Sequence, residues 1–255
     1  MSSQTLNVIL FGDTGVGKSS VINLMAGKPI AETSGDVGGC TMDFKDYQFD
    51  IGSRQVTLWD TVGLNEPTMG VNGYHDAMVK AHELIRKLSK AGGVDLLLLC
   101  IRGQRIPPSA TINYRLFYEI LCNKQVPIAL VITHLEREYR MEAWWERNEA
   151  AILQCGIRTC GHASITGLAE EVQKYKESKD AMSRLLSQYD NSGRFSMPLE
   201  VWYFRFFRWL ASFFSTGHLS VVDIANFLMR RCNFDIETAY RLAAQLVGSR
   251  TAGAS

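Results

Sequence analysis

Charge of either sign in excess is what this chain most plainly lacks: 27 Lys and Arg against 26 Asp and Glu leave a formal net charge of +1. No global basic excess argues for nucleic acid, and no acidic tail argues for a basic partner. Met1–Asn7 is mostly polar and lacks the charged-then-apolar layout of a secretory signal. There is no internal repeat and no low-complexity tract. The six cysteines (Cys40, Cys100, Cys122, Cys155, Cys160 and Cys232) are scattered, several within apolar runs, which suits a reducing compartment better than a disulfide framework. A cytoplasmic location is the expectation. With 255 residues and 21% charged, the chain has the length for one α/β domain plus an appendage.

What is present is an alternation of strand and helix patterns. Leu6–Phe11 is a short, mostly apolar run ending in a glycine-rich turn, and Ser19–Ala26 reads as a helix. Lys45–Ile51 and Gln55–Asp60 flank the turn Gly52–Arg54, a hairpin signature. Helical spacing covers Tyr74–Lys90, and Val94–Ile101 is apolar except for Asp95, as in a strand covered on both faces. A helix is expected over Thr111–Asn123, a strand over Ile128–Thr133 behind Pro127, and a helix over Arg140–Gln154. Ile157–Ala163 is a weak strand and Gly167–Tyr189 a long polar helix. Such alternation implies an α/β fold, a mostly parallel sheet with helices on both faces. Asn, Ser and Gly cluster near Asp190–Met197, placing a boundary near residue 192: a nucleotide domain over 1–192 and a helical C-terminal extension over 193–255, with caps at Ser220 and Asp235.

Gly12-Asp13-Thr14-Gly15-Val16-Gly17-Lys18-Ser19 fits G-x-x-x-x-G-K-[ST] between an expected strand and an expected helix, with Ser20 next in the chain. Glycines let the backbone wrap an anion so that successive N–H groups point inward, and the helix terminus adds its dipole. Lys18 supplies a mobile cation for β and γ phosphates, and the Ser19 hydroxyl an oxygen for Mg²⁺. Trp59-Asp60-Thr61-Val62-Gly63 ends a strand with Asp-x-x-Gly, where Asp60 can hold Mg²⁺ through water and Gly63 can contact a γ-phosphate. Between them, Gly38-Gly39-Cys40-Thr41 offers Thr41 as a switch threonine on Mg²⁺, or as an ordinary loop residue. Thr133-His134-Leu135-Glu136 sits where base recognition is expected: Glu136 can accept two hydrogen bonds from guanine N1 and N2 and the His134 imidazole can stack on the ring, the alternative being an ordinary loop Glu and His. Ala163 and Ser164, after the weak strand, read as a loop lining the base.

These motifs, in order, resemble the septin-like branch of translation-factor-related GTPases, in particular its AIG/Toc (GIMAP-type) members. The resemblance covers roughly residues 6–170 and runs through FGDTGVGKSSVINLMAG, LWDTVGLNEP, GGVDLLLLCIRG, NYRLFYEILC and MEAWW, segments similar to those of fungal AIG-like G-domain proteins. It implies a three-layer Ras-like P-loop G domain that uses GTP/GDP and Mg²⁺. Toc proteins also place a histidine in the base loop. Where Ras-like enzymes carry a water-orienting glutamine this chain has Leu64, so slow intrinsic hydrolysis is implied. Related AIG/Toc proteins dimerise across the nucleotide and can supply an arginine in trans. Gly103-Gln104-Arg105-Ile106 looks similar to their L-G-R-Y/F segment and makes Arg105 the candidate finger, the alternative being a solvated loop arginine.

Three functions stay open on the sequence: a slow, dimerisation-dependent GTPase switch, a septin-like nucleotide-dependent scaffold with negligible hydrolysis, and a P-loop ATPase or kinase. Val201–Phe214 is apolar around most of a helix, with Arg205, Arg208, Ser212 and Ser215 as a polar stripe. Two central arginines and a length short of one bilayer crossing argue against a transmembrane helix. Packing on the G domain or on a second copy, or a peripheral membrane contact aided by seven arginines against four acidic residues from Arg194 onward, both fit. Cys155, Cys160 and His162 match no standard zinc spacing, Trp144-Trp145 suits a helix face against the sheet, and Lys174–Lys179 reads as a solvated helix face.

Overall fold

The computed structural model describes residues 5–32, 45–61, 83–189, 194–211, 220–232 and 234–251. Six strands form one sheet: β1 (Leu6–Phe11), β2 (Lys45–Ile51), β3 (Arg54–Asp60), β4 (Leu96–Arg102), β5 (Ile128–Thr133) and β6 (Gly161–Ser164), in the order β2-β3-β1-β4-β5-β6. Every pairing is parallel except β2 with β3, a hairpin whose register closes at Ile51 opposite Arg54. All six residues of β1 and of β5 are buried, which is why those runs are apolar but for Asn7 and Thr133 rather than alternating.

Helix α1 (Lys18–Ala26) and helix α5 (Val172–Ser187) cover one face, where Val21, Leu24, Met182 and Leu185 pack with Val8, Leu10, Leu98 and Val131. The opposite face carries α3 (Pro108–Tyr114), a π-helical continuation over Arg115–Leu121, and α4 (Glu142–Gln154). There the Phe11 and Phe117 rings stack with centroids 4.2 Å apart. The result is a three-layer Ras-like α/β domain. Segment 83–90, here α2, is helical.

Three elements differ by more than two residues from the sequence expectation, and the long polar helix expected from Gly167 starts only at Val172, which leaves Gly167 and Leu168 in the loop ahead of it. The helix expected over Thr111–Asn123 starts earlier, at Pro108, whose fixed φ and missing N–H suit a first turn, and widens to π geometry from Arg115. The weak strand begins at Gly161 rather than Ile157: Ile157 N still bonds Ile152 O behind α4, and the ladder with β5 opens only at Gly161 opposite Ala129.

At the amino-terminal end of the sheet, the one charge in β4's approach is neutralised. The fully buried Asp95 carboxylate accepts from Asn7 N at 2.7 Å and from Arg194 Nη2 at 2.8 Å. Phe195 then pairs with Val94 through two 2.8 Å backbone bonds.

By internal contacts the chain divides into two compact units, Met1–Glu66 with Ala91–Ser196, and Pro67–Lys90 with Met197–Ser255. The second contains α6 (Leu199–Ala211), α7 (Val221–Cys232) and α8 (Ile236–Thr251). Ser220 caps α7 through Asp223 N at 3.1 Å, answered by Ser220 N to Asp223 Oδ2 at 3.2 Å, and Asp235 caps α8 through Thr238 N at 2.8 Å. Trp202 and Tyr203 are buried, Tyr203 meeting the Phe234 ring edge-on at 4.8 Å. Among the described residues no helix is long and apolar enough to cross a membrane.

Candidate functional site

In a doubly covered parallel sheet, ligands bind beyond the carboxyl ends of the strands where the strand order reverses. Here the reversal falls at β1, whose neighbours are β3 on one side and β4 on the other. The turn leaving β1 is the glycine-rich loop. Gly12 sits at φ 148°, and a Cβ there would lie 2.2 Å from the Cys100 carbonyl oxygen, so no other residue fits against β4. Gly17, at φ 92°, precedes α1 without any side-chain cap, which leaves the first-turn N–H groups of Lys18, Ser19 and Ser20 directed out of the helix end. The Lys18 ammonium folds back over the loop, donating to Gly12 O at 2.8 Å and Asp13 O at 2.9 Å. Thr14 and Gly15 are exposed at the crest.

The loop is braced from two neighbouring strands. The Thr133 hydroxyl donates to Val16 O at 2.6 Å, and the Cys100 thiol donates to the same oxygen at 3.7 Å. With its proton committed, Thr133 Oγ1 receives the His134 Nδ1–H at 2.9 Å, which sets the neutral imidazole with Nε2 as its acceptor. His134 takes a left-handed φ of 59°. Burial lowers its pKa, with the charge of Arg102 adding and Glu136 opposing. Asp13 binds elsewhere: its carboxylate accepts from Asn113 Nδ2 at 3.0 Å and from the Ser109 hydroxyl, tying the loop to α3.

Asp60 ends β3 beside the loop, 4% exposed, with Oδ1 buried and without a hydrogen-bond partner. Its pKa is raised to about 6 by burial, against the pull of Lys18 and Lys45. A buried carboxylate oxygen left unsatisfied beside an ammonium and the Ser19 end of α1 is the donor chemistry of a hard divalent cation site. Thr41, Gly63 and Leu64 lie outside the described residues.

Next to the loop is a pocket lined by Gly17, Ser20, Val21, Thr133, His134, Glu136, Ile165, Gly167 and Leu168. Glu136 and His134 are thus brought together at its wall. Ala163 and Ser164 are not: both are buried within β6, paired with Val131 and Ile132, and the lining comes from 165–168 instead. β6 runs to Ser164, one residue past the expected strand end, so the chain leaves the sheet only after the two residues assigned to the base loop. Gly167 was missed in the sequence, although a Cβ there would approach Ser20 Cβ to 2.6 Å. Gly167→Ala is expected to weaken nucleotide binding about tenfold by forcing that loop off α1, and Gly167→Ala with Ser20→Gly to recover most of it. Titration calorimetry on both variants checks this, and equal affinities would show the contact to be irrelevant to the pocket.

Lys174 was also misread. It is not a purely solvated lysine but donates to Glu136 O at 2.6 Å and Glu138 O at 2.8 Å, holding the base-side loop from α5. Arg105 is exposed on the short connection from β4 to α3. Trp144 is buried, whereas Trp145 stacks on His162 at 4.0 Å, and His162 Nε2 lies 2.5 Å from Glu142 Oε1. Among the described residues no group of three or more His, Cys, Asp or Glu is placed to hold a metal. Cys100, Cys122, Cys155 and Cys160 are thiols rather than disulfide halves.

Strand, glycine loop, uncapped helix and an adjoining pocket define a P-loop nucleotide-binding G domain. The family of 50S ribosome-binding GTPases matches residues 7–134, half of the chain, and the chain belongs to that family of P-loop GTPases. Among curated proteins it is 29% identical over 202 residues to the GTPase Der of Campylobacter concisus, a match covering 76% of this chain and 41% of that protein. The chain therefore spans about two fifths of that relative's length. Among solved structures, an Era variant from Aquifex aeolicus bound to GDP·AlF4− aligns with a TM-score of 0.55 at 16% identity, over 85% of this chain and 69% of that one. Toc33 from Arabidopsis thaliana aligns at 0.49 and 17%, over 72% and 85%.

Proposed function

We propose that the chain binds GTP and hydrolyses it to GDP and phosphate with Mg²⁺, slowly as a monomer, and acts as a switch that dimerisation accelerates. The observation that carries the reading is the loop of Gly12–Ser19 with the Lys18 ammonium laid across it, opposite an unsatisfied Asp60 oxygen. In this proposal Gly12, Asp13, Thr14, Gly15, Val16 and Gly17 offer backbone N–H groups to the phosphates, and Lys18 neutralises them. Ser19, Asp60 and Thr41 hold the metal, which when bound supplies positive charge against the phosphate oxygens. Gly63 meets the γ-phosphate, while Thr133, His134 and Glu136 form the base side. The same proposal places the chain with the AIG/Toc-type proteins, supported by His134 in the base loop and by the motifs shared along residues 6–170.

Leu64 supplies no group to polarise water, so the exposed Arg105 is the residue proposed to act on a second copy. Wild-type turnover per protomer is expected to rise with protein concentration. Arg105→Ala is expected to lower kcat at high concentration by about 10²–10³ with nucleotide affinity unchanged. Phosphate release measured across a hundredfold range of protein concentration tests both. A flat profile with stably retained nucleotide would favour the septin-like scaffold instead, and preference for ATP in competition would favour the ATPase reading.

A further inference from the structure

We infer that Thr166 is the specificity-positioning residue of the base pocket, fixing the Glu136 carboxylate so that it selects guanine; this rests on the guanine reading above. Glutamate carries one more methylene than aspartate, so its carboxylate has an additional torsion to be ordered before it can match the two N–H donors of a guanine edge. The structure orders it at both ends. At the backbone, Lys174 Nζ donates to Glu136 O at 2.6 Å. At the side chain, the Thr166 hydroxyl lies 3.2 Å from Glu136 Oε2.

The direction of that second bond is fixed by proton counting. Thr166 Oγ1 accepts the Leu168 N–H at 3.2 Å, so its single proton is left for the carboxylate, which can only accept. Thr166 itself is fully buried, and its backbone N–H donates at 3.0 Å to Ser178 Oγ, also fully buried. Lys174 and Ser178 stand one helical turn apart on α5, so one face of one helix holds the backbone of Glu136 and the residue that grips its side chain. Ser164, the hydroxyl that the sequence pattern offers for the base loop, is buried in β6 with Oγ unpartnered. The hydroxyl that meets Glu136 stands two residues further along the chain, at Thr166. With Oε2 held through one of its lone pairs, both carboxylate oxygens keep an acceptor site for the two N–H donors of the ligand, and a held carboxylate discriminates by what faces it. Guanine offers N1–H and a 2-amino group, hypoxanthine lacks the amino group, and xanthine places a carbonyl there.

The experiment measures dissociation constants of GDP, IDP and XDP for the full chain by calorimetry. Wild type is expected to prefer GDP over IDP by about 10- to 100-fold, as one charge-assisted hydrogen bond allows. Thr166→Val, nearly isosteric, is expected to cut that ratio about tenfold with IDP affinity within about threefold of wild type, and Thr166→Ser to restore the ratio. An unchanged GDP-to-IDP ratio in Thr166→Val overturns the proposal, as does an equal loss for both nucleotides, which marks a merely structural residue. Glu136→Gln separates the two readings. If wild type shows no GDP preference, or Glu136→Gln keeps one, the guanine reading fails and the role of Thr166 with it. If Glu136→Gln abolishes the preference and Thr166→Val does not, Thr166 alone is refuted.

Discussion

Lys18→Met is expected to weaken GTP and GDP binding by about two orders of magnitude while leaving the fold intact. The ammonium bonds two carbonyl oxygens of its own loop, at 2.8 and 2.9 Å, contacts that hold it over the crest without committing it to a carboxylate. Transfer onto a polyphosphate replaces two neutral acceptors by charged ones, and each charge-assisted bond contributes about 1.5–3 kcal/mol, where 1.4 kcal/mol is tenfold. Methionine fills the space of the buried stem, so packing is retained and the lost term is electrostatic. Fluorescent-nucleotide titration with a parallel thermal melt is the measurement. A variant that melts like wild type and binds within about threefold of it would show that the loop of Gly12–Ser19 is not the phosphate site.

What could be read in advance follows from how local each signal is. Strands β1 and β5 are buried on both faces, so their runs are apolar but for Asn7 and Thr133, and the loop between β1 and α1 follows a fixed spacing because backbone geometry demands glycine at set points. The base side is assembled from residues far apart in sequence, and its key contacts are hydrogen bonds between loops. Glu136 was legible as a carboxylate in the right place, but its partner Thr166 is 30 residues away and its backbone anchor Lys174 is 38 away. Nothing in local periodicity announces either. The misplacement of the base-side lining at Ala163 and Ser164 has the same origin: Ile157 is buried like a strand residue yet packs behind α4 without joining the ladder, so apolar character ran ahead of pairing. Asp13 is the reverse case, a motif position assigned to the ligand whose side chain instead secures α3 through Ser109 and Asn113. Its backbone remains available to the loop, so one residue couples the phosphate cradle to the helix that follows the Arg105 connection.

The same physics predicts that the site weakens the fold that carries it. Asp60 is 4% exposed and its pKa is raised to about 6 by burial, so at neutral pH the folded protein keeps a charge it would rather neutralise. A rise from 3.8 to about 6 corresponds to a cost on the order of 3 kcal/mol at pH 8. The folded state binds this proton more readily than the unfolded chain. The cost is therefore relieved as pH falls through about 6 and is gone near 3.8. Asp60→Asn removes the charge at constant shape. In chelator at pH 8 the variant is expected to be more stable than wild type by about 2–3 kcal/mol, the two urea-unfolding curves converging by about pH 4. With Mg²⁺ and GTP that advantage narrows: the gain in nucleotide affinity that magnesium gives wild type is expected to shrink at least tenfold in the variant, because a neutral amide is a poorer ligand for a hard dication. A variant no more stable than wild type in chelator would mean that Asp60 is relaxed rather than strained. A full magnesium effect in the variant would place the cation on other oxygens, and the unsatisfied Oδ1 beside Lys18 would then need a different partner.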